Sequence, residues 1–137
     1  MRHAATLFVD CRCFLGEGIV WWDAHRALLW TDIERSRLWL HDERGERSWP
    51  LPSRLGSLAP CTSGALLLAL EGGLARAEID RGGDGAPRLV PLADVERELP
   101  STRLNDGRTD RSGNFVFGTM NQADGHPPAG SFYQWSA

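Results

Sequence analysis

Ile19-Val20-Trp21-Trp22, then Asp23-Ala24-His25-Arg26, then Ala27-Leu28-Leu29-Trp30-Thr31-Asp32-Ile33 and Arg37-Leu38-Trp39-Leu40-His41 form the stretch on which the fold turns. Its apolar runs are too short for helices, rich in residues that suit a pleated surface, and broken by small polar turns. Closed by Arg47 to Leu51, the unit reads as a four-strand meander. The pattern recurs as Ser57 to Cys61, a Thr62-Ser63-Gly64 turn, Ala65 to Leu70, Gly73 to Ile79 and Arg88 to Leu92. A third unit begins at Gly107, turns at Asp110 to Gly113, and runs through Asn114 to Met120 and Ser131 to Trp135.

The second strands of the units start at 27, 65 and 114, which are 38 and 49 positions apart. The longer interval holds an insert, Asp94 to Thr102, and the Ala93 to Leu99 pattern there suits one short helical turn. Meanders recurring every ~40 to 50 residues indicate an all-β chain of β-propeller blades. A β-sandwich is the alternative that regular short strands also fit. The blades are expected at 18–52, 57–92 and 103–137 of one partial domain spanning 1–137. Residues 1–14, with the apolar run Thr6 to Val9, read as a strand that would close the ring. Propellers close with about 4 to 8 blades, so three blades leave an open stack whose edges invite self-association. The ending Tyr133 to Ala137, inside or just after a blade strand, reads as a truncation.

With 137 residues, 42% hydrophobic and 24% charged, the chain has the balance of one globular domain rather than a disordered or membrane protein. The net charge of -3 and the scattered basic residues argue against nucleic acid or a membrane surface as partner. All 15 basic residues are arginine, which excludes Walker-type phosphate loops, Schiff-base lysines and kinase-type lysines. Cys11, Cys13 and Cys61 leave at least one thiol unpaired, so reduced thiols and a cytoplasmic location are expected. The Cys11-x-Cys13 spacing is that of a zinc half-site, but no second Cys/His pair follows at finger-like distance. No stretch has the length of a transmembrane segment, and Met1 to Val9 lacks the apolar run of a secretion signal.

Two local features bear on chemistry. In Leu15-Gly16-Glu17-Gly18, a carboxylate flanked by glycines precedes an apolar strand, which suits either a turn or a metal or acid/base group at a strand end. In Arg103-Leu104-Asn105-Asp106-Gly107, the arginine and asparagine share a face of an extended segment, while Asp106-Gly107 reads as a tight turn. The four histidines have no ligand spacing and are expected to face solvent. Glu71 and Asp32 end neighbouring strands and are expected to be solvated, and Gly82 to Gly85 reads as a hairpin loop. The six tryptophans suit core packing, with a sugar-stacking platform as the alternative.

The stretches LGEGIVWW (15–22), LLWTDI (28–33), RLNDGRTDRSGNFVFGTM (103–120) and GSFYQW (130–135) together resemble the regucalcin/gluconolactonase family. The resemblance implies a six-bladed propeller carrying a divalent metal, calcium or zinc, on its axis, and hydrolysis of sugar lactones; the chain looks like the N-terminal half of such a protein. Glu17 matches the family's metal-binding glutamate, and Arg103 and Asn105 match residues that hold the substrate. Asn121 and Gln122 are further candidate polar contacts, and Ala123, next to Asp124, stands where some members carry a glutamate. The other metal ligands, including the aspartate proposed as general base, belong to later blades beyond Ala137, so no catalytic residue is assigned. Activity of these residues alone is therefore expected to be impaired. The alternative is a non-enzymatic remnant or half-propeller that assembles with another chain.

Overall fold

A computed structural model describes residues 3–83 and 85–136. The chain forms three antiparallel sheets, each built from consecutive strands. The first comprises β1 (Gly16–Trp22), β2 (Ala27–Asp32), β3 (Arg37–Asp42) and β4 (Gly45–Pro50). The second comprises β5 (Leu55–Pro60), β6 (Leu66–Leu70), β7 (Gly73–Glu78) and β8 (Arg88–Asp94). In the third, β10 (Phe115–Asn121) lies between β9 (Thr102–Thr109) and β11 (Phe132–Trp135). These are blades of a partial β-propeller, with β5 packed against both β1 and β9.

The turns follow from local chemistry. Asp110 accepts the Ser112 N–H at 2.8 Å and the Asn114 N–H at 2.9 Å, and Gly113 takes the left-handed φ of 86° that closes the β9–β10 hairpin. Residues 23–26 form a short 3-10 turn ending in Arg26 at φ 47°.

Alternation within β6 sorts its side chains between two cores. Leu66 and Leu68 join Trp22, Leu29, Leu38, Leu40 and Trp49 between the first and second sheets. Leu67 and Ala69 face the other way and join Leu104, Phe115 and Phe117 between the second and third. The middle sheet is therefore apolar on both faces. Trp22 and Trp49 are buried as expected of core residues, whereas Trp21 is 48% exposed.

Several expectations change. The first strand of the third sheet starts at Thr102, so Asp106-Gly107, expected as a tight turn, lies within β9, where Gly107 pairs with Phe117. No helical turn forms over Ala93 to Leu99: Ala93 pairs with Leu74 in the β7–β8 ladder, and reverse turns follow, with Leu99 N donating to Glu96 O at 2.8 Å and Thr102 N to Leu99 O at 3.0 Å. Among the described residues, 3–13, including Thr6 to Val9, pair with no strand, and Met1 and Arg2 of the expected 1–14 strand lie outside the described residues. Asp84 of the expected Gly82 to Gly85 loop and Ala137 of the third unit lie outside the described residues.

Two buried aspartates are structural. Asp32, expected to be solvated, is wholly buried and accepts the N–H groups of Phe14 at 2.9 Å and Leu15 at 3.0 Å, fixing the entry to β1. At the opposite end of the sheets, Asp42 accepts the Arg44 N–H at 2.8 Å and Arg47 Nη2 at 2.7 Å, and Arg81 from the β7–β8 connection also donates to it. Arg81 Nη1 lies 2.8 Å from His25 Nδ1, and His25 packs edge-on against Trp22. His25 and His41 are thus half-buried rather than solvent-facing, and burial, then Arg81, lowers the His25 pKa.

Burial pulls the Asp42 carboxyl up, but the Arg81 hydrogen bond, the Arg44 N–H and the two arginine charges outweigh it and hold the group below its ordinary value. A depressed folded pKa means the unfolded chain binds the proton more readily. The contribution is full above the unfolded value of about 3.9 and is lost as pH falls through the folded value. Asp42→Asn is expected to cost about 2 kcal/mol at neutral pH, with the gap to wild type closing as acid protonates Asp42. Urea midpoints measured from neutral pH down to acid check this; a gap that does not narrow contradicts it.

Candidate functional site

The first strand of each sheet runs along the shared interior, and all three carry the same irregularity at the same level. From the Glu17/Thr31 pair to the Val20/Leu29 pair, β1 advances three residues and β2 two. From Leu55/Leu70 to Ser57/Ala69, β5 advances two and β6 one. From Leu104/Thr119 to Gly107/Phe117, β9 advances three and β10 two. Each inner strand thus holds one extra residue, a bulge that bends the strand and re-aims its side chains. Gly18 adopts φ +64° in the first bulge, and a Cβ there would come within 3.8 Å of Gly56 O. A Cβ on Gly56 would lie 2.5 Å from Leu104 O and 2.6 Å from Asn105 O, so β5 and β9 approach closely only because residue 56 has no side chain.

Above these bulges the turn residues of all three sheets meet. Arg103 is 6% exposed; its Nη1 donates to Leu104 O and Asn105 Oδ1, both at 3.0 Å. Burial foremost, and then the Arg54 charge, lower its pKa, while Glu34, Glu17 and Glu71 act in the opposite direction. Arg54, just before β5, pairs with Glu34 of the β2–β3 turn at 3.4 Å and Glu71 of the β6–β7 turn at 3.9 Å. It also donates to Gln122 Oε1, and Gln122 Nε2 donates to Glu71 at 3.0 Å. One guanidinium therefore ties together residues from three sheets. Leu104 N reaches back to Glu71 O at 3.3 Å, holding β9 to the same turn.

Of the residues expected from the sequence, Arg103 and the half-buried Asn105 lie on this common rim, while the exposed Glu17, at the start of β1, makes no hydrogen bond or ion pair with it among the described residues and acts on Arg103 only through its charge. Asn121 does not join them. Its Nδ2 donates to Pro127 O at 3.1 Å and its Oδ1 accepts Ala123 N at 3.0 Å, so both ends of the amide close their own loop. The neighbouring Gln122 is the side chain that faces the network. Gln122 was among the sequence candidates, whereas Glu34, Arg54 and Glu71 were not legible as its partners, since they sit on separate turns with no shared spacing.

The rim carries two guanidinium groups against two carboxylates, with the charge of Glu17 as a third. Such a set can orient an uncharged, hydroxyl-rich ligand through paired donors and acceptors. A metal is another matter: no group of three or more His, Cys, Asp or Glu side chains able to hold one occurs among the described residues. Calcium takes about six to eight oxygens and zinc about four ligands, so Glu17 alone does not make a metal centre.

Residues 15–137 match the family model described as SMP-30/Gluconolactonase/LRE-like region. The chain is 42% identical over 137 residues to the L-arabinolactonase of Azospirillum brasilense, an alignment covering 97% of this chain and 44% of that enzyme. Its fold is similar to that of a luciferin-regenerating enzyme, with TM-score 0.82 and 25% identity over 89% of this chain and 42% of the other. It is also similar to regucalcin, a calcium-binding protein of Agrobacterium tumefaciens, with TM-score 0.78 and 29% identity over 89% of this chain and 40% of the other. The chain thus spans somewhat less than half the length of each relative.

Proposed function

Because the chain belongs to the SMP-30/gluconolactonase/LRE-like family, we propose that it supplies one side of a site for hydrolysis of sugar lactones. The observation that carries this reading is the buried Arg103 guanidinium set beside Asn105 on a rim shared by three blades. In lactone hydrolysis water adds to the carbonyl carbon, negative charge grows on the carbonyl oxygen, and the ring oxygen departs to leave an aldonate. Arg103, already pinned by two acceptors, donates to that oxygen as its charge grows. Asn105 holds a sugar hydroxyl, and Gln122 serves as a second polar contact in place of Asn121. Glu17 has no ion-pair partner within 4 Å among the described residues, unlike Glu34 and Glu71. We assign it to a divalent cation, calcium or zinc, whose remaining oxygen donors these residues do not supply.

A second reading has its own observation. Ile19 is 70% exposed and Trp21 48% on the first sheet, and Phe132 is 86% exposed on the third. These apolar outer faces suit self-association or docking onto another chain. Light scattering separates the cases, since a monodisperse monomer across the micromolar range excludes self-association.

Acid release from gluconolactone and arabinonolactone in a pH-stat tests the main reading. The chain alone, with calcium or zinc, is expected to match the uncatalysed rate. Joined to the remainder of the Azospirillum L-arabinolactonase, it is expected to give metal-stimulated turnover. A folded chimera that hydrolyses neither lactone sinks the lactonase reading. Metal-stimulated turnover by the chain alone that disappears in Glu17→Gln shows instead that these residues suffice.

A further inference from the structure

Cys11 and Cys13 lie immediately before β1, and their sulfurs face each other 3.4 Å apart. In an extended chain, side chains two positions apart share a face but are separated by two residue rises, so something must fold them together. Arg12 does this by adopting a left-handed φ of 47°, unusual for a residue with a side chain. The bent loop is held from three directions. Arg35 Nη1 donates to Arg12 O at 3.1 Å, Arg12 Nε lies 3.3 Å from Asp10, and the buried Asp32 carboxylate fixes the N–H groups of residues 14 and 15. On the strand side, a Cβ on Gly16 would lie 3.2 Å from Cys13 Cβ, so the pair packs onto the first residue of β1. Cys61, the third thiol, lies just after β5 and packs beside the second core.

We propose that Cys11 and Cys13 are a paired-thiol site that closes into a local disulfide by exchange with a small-molecule disulfide. The Cys11 thiolate attacks one sulfur of the small disulfide, the S–S bond breaks, and one small thiolate leaves. Cys13 then loses its proton and attacks the Cys11 sulfur of the mixed disulfide, releasing the second small thiolate. Two cysteine sulfurs are oxidised, one disulfide is reduced to two thiols, and the two cysteine protons finish on those thiols. Cys13 donates its S–H toward Cys11. Burial, and then that hydrogen bond, push the Cys13 thiol up to about 11, which makes Cys13 the poorer first nucleophile and leaves the first attack to Cys11. Because the partner sulfur is already in van der Waals contact, the second step is fast and the mixed disulfide does not accumulate.

The test is incubation of the reduced chain with oxidised glutathione at neutral pH, followed by alkylation of remaining thiols and peptide mapping. The expected product has lost two hydrogens, links Cys11 to Cys13, and leaves Cys61 alkylated, with the pair reacting about tenfold or more faster than Cys61. Cys13→Ser is expected to stop at a stable glutathione adduct on Cys11. Persistent adducts on the wild-type pair, disulfide-linked dimers, or reaction of Cys61 ahead of the pair would each overturn the proposal. None of these readouts depends on lactone hydrolysis.

Discussion

Gly56→Val is expected to destabilise the fold by about 3 kcal/mol, a large share of the roughly 5–15 kcal/mol that holds a domain together. The new Cβ would meet Leu104 O at 2.5 Å, Asn105 O at 2.6 Å and Asn105 Cα at 2.9 Å. All three are backbone atoms of β9, so no side-chain rotation relieves the overlap. β5 and β9 must separate, and that withdraws Leu104 from the core it shares with Leu67, Ala69 and Phe117. The urea midpoint should fall by about 1–2 M with little change in slope. Gly72→Val is the control: nothing lies within 4 Å of a Cβ there, and the expected change is within about 0.5 kcal/mol. Equal midpoints for the two variants would show that the inner strands tolerate a wider spacing.

Arg103→Ala is expected to lower kcat/KM for lactone hydrolysis by about 10²-fold or more in the chimera that supplies the remaining blades. The side chain is almost fully buried, and its Nη1 is fixed by Leu104 O and Asn105 Oδ1, so its donors are oriented before substrate arrives. Arg103→Lys separates geometry from charge. It keeps the cation but loses the planar fork, and should still cost about tenfold or more while leaving the urea midpoint near wild type. The loss should fall mainly on kcat, because a donor aimed at the developing oxyanion acts most strongly in the transition state. A rise in KM with kcat unchanged would instead place Arg103 in ground-state sugar binding.

Much of the fold was legible because strands advertise themselves locally. Leu66 to Leu70 is a short apolar run ended by Glu71-Gly72, and Asp110 to Gly113 carries both the side-chain acceptor and the glycine of its turn. Asp106-Gly107 misled for a physical reason. Glycine marks a turn or a close approach, and here it is the second: a Cβ on Gly107 would lie 2.7 Å from Phe117 Cβ and 2.9 Å from Ser57 Oγ. Asp32 misled because a carboxylate at a strand end is usually wet, and nothing in the sequence shows that two N–H groups 17 and 18 positions earlier turn toward it. The rim was half legible. Glu17, Arg103 and Asn105 stand out through their glycine neighbours, their spacing and the family resemblance. Gln122 stands out only as a polar neighbour of Asn121, and Arg54, Glu34 and Glu71 are ordinary surface types that only the stacking of three sheets brings to it.

That the middle sheet is apolar on both faces bears on the order in which the chain can assemble during synthesis. Every strand pairs with a sequence neighbour, so each sheet grows from hairpins on the microsecond scale without waiting for distant segments. The first sheet, once formed, still lacks the cover that Leu55, Leu58, Leu66 and Leu68 provide, and the third has no place to seat Leu104 and Phe115 until Leu67 and Leu74 are fixed. The second sheet is therefore the step through which both interfaces pass. Mutations that slow β5 to β7 should delay burial everywhere, whereas equal lesions in β4 or β11 should leave the refolding rate almost untouched and appear as faster unfolding.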